Sequence, residues 1–100
     1  MKIGFPTPKF NAKVADGTVG PALKAILEEQ KPEAAYFIDT NGGRGAVLVV
    51  EVSDPSKIPA FAEPWFLTFD ATMEFHIAMS PADLGAAGLD ELGRKWCGKG

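Results

Sequence analysis

The feature that most narrows what this chain can become is the stretch Ala34 to Val52, AAYFIDTNGGRGAVLVVEV, where two strand-like runs flank Asn41-Gly42-Gly43. Asparagine and glycine accept the positive φ that a tight β-turn imposes, so the stretch predicts an antiparallel hairpin. A helix-like segment precedes it. A second helix-like segment and a further strand, Ala71 to Met79, follow it. The order is β-α-β-β-α-β with a tail helix, which predicts one α+β domain over residues 1–100. Right-handed crossovers then place the last strand beside the first, with the third and second beyond, and both main helices on one face.

The segments show why. Met1, Ile3 and Phe5 alternate with Lys2 and Gly4 in a short strand stopped by Pro6 and Pro8. Lys9 to Gly17 reads as a loop. Thr18 then offers an N-cap to a helix with Val19, Leu23, Ile26 and Leu27 on one stripe and Glu28, Glu29, Gln30 and Lys31 on its solvated side. After the hairpin, Asp54-Pro55-Ser56 supplies cap chemistry for a helix bearing Ile58, Phe61, Ala62, Trp65 and Phe66, which Pro64 is expected to kink or end. Ser80-Pro81-Ala82-Asp83 resembles a capping box opening the tail helix, which Gly85 and Gly88 weaken.

A two-residue turn puts Tyr36, Ile38, Val47, Val49 and Glu51 on one face of the hairpin and Ala35, Phe37, Asp39, Ala46, Leu48 and Val50 on the other, whereas a three-residue loop with a bulge would reverse the pairing of faces. Both faces are largely apolar. One helix layer covers one face, so a homodimer that buries the second face is expected.

Composition excludes several classes. At 46% apolar and 23% charged, the chain is too apolar for disorder. Its net charge is −3, and the lysines and arginines are scattered until the last few residues, so no nucleic-acid footprint forms. The longest apolar run, Ala46 to Val50, is far short of a bilayer span, and no basic and apolar leader opens the chain, so no membrane partner is expected. One cysteine, Cys97, and one histidine provide no zinc-type spacing, so neither a metal nor a cofactor is expected, and the chain fits a reducing cytoplasm.

Chemistry points first to Thr72, Glu74 and His76, three polar residues on one face of an otherwise apolar strand. Facing a pocket, His76 could serve as an acid or base with Glu74 orienting it. On an edge strand, the same polarity is simply the wet side. Tyr36 and Glu51 share a hairpin face and, with Thr72, are the candidate ligand-binding residues; Tyr36 could equally pack its ring and satisfy one hydroxyl. Asp39 and Arg44 flank the turn and are expected to pair across it.

The element order, the run Glu63-Pro64-Trp65-Phe66, and the strand Glu74 to Met79 entering Ser80-Pro81 resemble small ferredoxin-like proteins of the dimeric α+β barrel superfamily, such as muconolactone isomerase and the YCII-related proteins. The order Ala34-Ala35-Tyr36-Phe37, Asn41-Gly42, Glu63-Pro64 and Asp83-Leu84 is similar to that of uncharacterised bacterial proteins of this size. The resemblance implies a dimeric α/β barrel with two sheets paired face to face, any small-molecule site lying between the sheet and the helices or inside the barrel. A histidine-aspartate dyad of the YCII kind is not recognisable, so no catalytic role carries over. Two functions follow as expectations. One is a non-catalytic homodimeric binding module whose barrel holds a small apolar carboxylate or nothing at all. The other is an isomerase, lyase or cofactor-free oxygenase using His76.

Overall fold

The computed structural model describes residues 1–98. Strand β1 (Lys2–Phe5) leads into helices α1 (Thr7–Asp16) and α2 (Val19–Gln30), and the hairpin of β2 (Ala34–Thr40) and β3 (Gly43–Val49) follows. A 3₁₀ turn at Pro55–Lys57 opens α3 (Ile58–Phe69); β4 (Thr72–Glu74), α4 (Pro81–Gly85) and α5 (Leu89–Trp96) complete the chain. The sheet is four-stranded, antiparallel and open, in the order β2-β3-β1-β4. This α+β arrangement is of the ferredoxin-like type, with the strand order and the helix-covered face that the pattern predicts.

The hairpin closes as its residues dictate. Thr40 pairs with Gly43, and Asn41 and Gly42 take φ of 49° and 81°, the primed turn that follows the strands' twist. The resulting register aligns Tyr36 with Val47, Phe37 with Ala46 and Ala35 with Leu48, so the two faces divide as expected. From one face Ile3, Phe5, Ala46 and Leu48 project into the helices and meet Phe10, Ile26, Trp65 and Phe69. Phe5, Phe10 and Phe69 form an aromatic triangle with ring centroids 5.1 to 5.6 Å apart, and Trp65 lies 6.0 Å from Phe69. Ile3, Leu48 and Phe69 are almost wholly buried, and each contributes about 1.5–3 kcal/mol through that burial.

Several expectations are corrected. Lys9 to Gly17 is not a loop but most of α1: Pro8 sits in the helix's first turn, Phe10 is buried, and Gly17 ends it with φ 80°. Proline after a strand stops the strand and starts a helix equally well. Thr18 holds the N-cap position of α2 without capping it: its backbone is helical (φ −90°, ψ −10°) rather than extended, and its hydroxyl donates to Asp16 Oδ1 at 2.6 Å. Gln30 is buried rather than solvated: its Nε2 donates to the Phe61 carbonyl (2.8 Å), and its Oε1 accepts from Trp65 Nε1 (3.0 Å), fastening α2 to α3. Helix α3 runs through Pro64 to Phe69. Arg44 stands opposite Asp39, but its guanidinium turns to Asn11 Oδ1 (2.8 Å) over the Phe10 ring.

The last strand pairs only over Thr72–Glu74, not from Ala71 to Met79, because its partner β1 is short and their register ends at Lys2 opposite Glu74. Beyond it the chain forms an arm. The capping box at Ser80 and Asp83 is present, and Gly88 in the left-handed region splits the expected tail helix into α4 and α5. With the arm, the molecule measures 61 × 28 × 21 Å and its radius of gyration is 18.0 Å, against about 13 Å for a compact chain of this length. Among the described residues, no helix is long and apolar enough to cross a membrane.

Candidate functional site

The sheet face away from the helices is the open one, and register orders its side chains into rows. Tyr36, Val47, Lys2 and Glu74 form one row across all four strands; Ile38, Gly45, Gly4 and Thr72 form the next. At the centre of the second row, the Thr40 and Thr72 side chains lie over the two glycines. A Cβ on Gly45 would lie 2.6 Å from Thr40 Cγ2 and 2.7 Å from the Ile3 carbonyl oxygen. A Cβ on Gly4 would lie 2.7 Å from Thr72 Oγ1.

At the end of the sheet where β1 begins, the Met1 amine donates to the Leu48 carbonyl at 2.7 Å and the Leu48 N–H returns a bond to the Met1 carbonyl at 2.9 Å. Burial pushes the Met1 amine below its ordinary pKa. Past this rung, the continuation of β3 and the segment after β4 pass on either side of a cleft of about 660 Å³. Val47, Val49 and Phe75 give it apolar walls, and Lys2, Glu51, His76 and Asp83 bring polar groups to it. Residues of both sheet faces line it, so the cleft lies at the end of the sheet, in its plane.

The sequence-predicted residues divide between these features. His76 and Glu51 line the cleft. His76 Nε2 lies 3.2 Å from Glu74 Oε2, with the side chains 72% and 65% exposed; an exposed pair of this kind is worth about 0–1 kcal/mol. Glu74 and Tyr36 stand at opposite ends of one row. Three strand spacings separate their backbones by roughly 14 Å, so Tyr36 and the histidine do not converge on one reacting atom. The Thr72 hydroxyl lies in the neighbouring row, 3.5 Å from the Gly4 carbonyl oxygen. Among the described residues, no group of three or more His, Cys, Asp or Glu is placed to hold a metal ion.

Sequence reasoning missed Lys2, Val49 and Phe75 as lining residues. Lys2 was legible as the polar member of an alternating strand, but the cleft arises from unequal strand lengths, which periodicity does not encode.

Comparison with family models, with curated proteins and with solved structures finds no match to this chain.

Proposed function

We propose that this protein is a non-catalytic homodimeric module that holds a small apolar carboxylate in the cleft between segments 47–52 and 75–83, its open sheet face buried against a second copy. The observation that carries this reading is the cleft itself, walled by Val47, Val49 and Phe75 with a few polar groups at its rim. The apolar body of the ligand rests on those side chains. Its carboxylate lies toward Lys2 and His76, the basic side chains among the lining residues, and away from Glu33, Glu51 and Asp83. The resemblance to dimeric α+β barrel proteins supports the dimer, as does an open face bearing Tyr36, Ile38, Val47 and Val49. An exposed His76, apart from Tyr36, favours binding over proton transfer.

The test is an NMR titration of labelled protein with aryl and alkyl carboxylates, each beside its alcohol and amine analogue. Expected are shifts at Val47, Val49 and Phe75 with the carboxylates only, abolished by Val49→Asp and weakened about tenfold by Lys2→Ala. Equal response to all three head groups, or none, refutes the reading. Sedimentation at micromolar protein is expected to show a dimer, since an interface of roughly 1,600 Å² holds at that level.

The His76 to Glu74 contact supports a second reading, an isomerase, lyase or cofactor-free oxygenase with His76 as acid or base. A turnover that vanishes in His76→Gln while carboxylate binding persists would establish it.

A further inference from the structure

The chain leaves two apolar surfaces uncovered. One is the open sheet face. The other belongs to the arm, where Phe75, Ile77 and Met79 are exposed on an extended segment, and Leu89, Leu92 and Trp96 follow at helical spacing along α5. Asp90, Glu91, Gly93, Arg94 and Lys95 occupy the other positions of α5, so the helix has one apolar stripe and one largely charged side. A helix of eight residues with such a stripe has little stability unless it packs.

We propose that the arm is exchanged: in a two-fold dimer, α5 of each copy lies on the open sheet face of the other. The inference rests on the dimer proposed above and names the element that covers the face. Two observations select a second copy's helix as the occupant. First, the arm leads away from its own body, giving the 61 Å long axis, so it reaches outward rather than back over its own sheet. Second, each copy carries one such face and one such stripe, so a two-fold axis satisfies both at once and closes the assembly.

Area supports the exchange. The stripe and the extended segment offer Phe75, Ile77, Met79, Leu89, Leu92 and Trp96 to a face bearing Tyr36, Ile38, Val47 and Val49. With side chains of this size burying on the order of 100–200 Å² each, the two reciprocal contacts reach the roughly 1,600 Å² of a stable interface. The exchange also bears on the cleft. Val47 and Val49 belong both to the open face and to the cleft wall, so a partner helix resting on them also borders the cleft.

The test uses the natural Cys97, which directly follows α5. Full-length chain is mixed with a size-tagged chain carrying Cys97→Ser and Tyr36→Cys, and a short bismaleimide is added. Expected is a product joining tagged and untagged chains, absent when Leu67→Cys, exposed on α3, replaces Tyr36→Cys. Leu92→Asp, at an exposed position that leaves the core intact, is expected to weaken the dimer at least tenfold in sedimentation. A dimer that gives no mixed product and ignores Leu92→Asp overturns the exchange and leaves the proposed dimer standing. A monomer overturns both. A single chain with Cys97 and Tyr36→Cys that closes only on itself at high dilution overturns the exchange as well.

Discussion

At the scale of single residues, glycine tests how tightly the sheet is built. In Gly45→Ala the new methyl meets the Ile3 carbonyl oxygen, a backbone atom that cannot swing aside, as well as the Thr40 methyl. The expected cost is about 1–3 kcal/mol, measured by urea denaturation. Gly20→Ala, in the first turn of α2 with open space around its Cα, is expected to stabilise by up to about 1 kcal/mol. Asp16 links the start of α2 to pH: hydrogen bonds from the Thr18 hydroxyl and then the Thr18 amide hold its carboxyl below the ordinary 3.8. A carboxylate depressed in the fold stabilises it above that ordinary value, and the contribution is lost as pH falls through the lower folded value. In Thr18→Val, which keeps the amide, the Asp16 titration followed by NMR is expected to move back up toward 3.8.

At the scale of elements, the joint between α2 and α3 hangs on Gln30. Replacing it with leucine strands the Trp65 indole N–H in a site with no exposure, and the expected loss is about 1–3 kcal/mol, seen as a lower Tm. Nothing in the sequence around Gln30 distinguishes it from the charged residues before it; its burial depends on a tryptophan 35 positions away. That contrast explains what was legible. The hairpin, α2, α3 and the box at Ser80 are local devices, in which turn residues, stripes and caps carry their own instructions. Helix α1 was obscured because Pro6 and Pro8 punctuate a strand's end and a helix's start alike. The pairing of β4 depended on the length of β1, a strand at the other end of the chain. The site was half legible: Glu51 and His76 could be placed on faces from alternation, whereas the cleft that joins them and the distance that removes Tyr36 follow from register.

At the scale of the whole molecule, every buried residue among those described lies between Met1 and Ala71, so body and arm are separable in energy. A chain ending at Ser80 is expected to keep the aromatic near-ultraviolet signal of the body. Its thermal midpoint is expected to be independent of concentration, while that of the full chain rises with concentration, as an assembly stabilised by association requires. The same division distributes the two tryptophans, one to each part. Trp65 is sealed in the core with its indole bonded to an amide, and Trp96 is 60% exposed with the Lys95 ammonium 5.5 Å from its ring. The two rings therefore act as separate lamps. With the arm free, iodide is expected to quench a redder Trp96 and to spare Trp65, whereas α5 packed on a partner is expected to protect Trp96 as well, so one emission spectrum reports both unfolding of the body and movement of the arm.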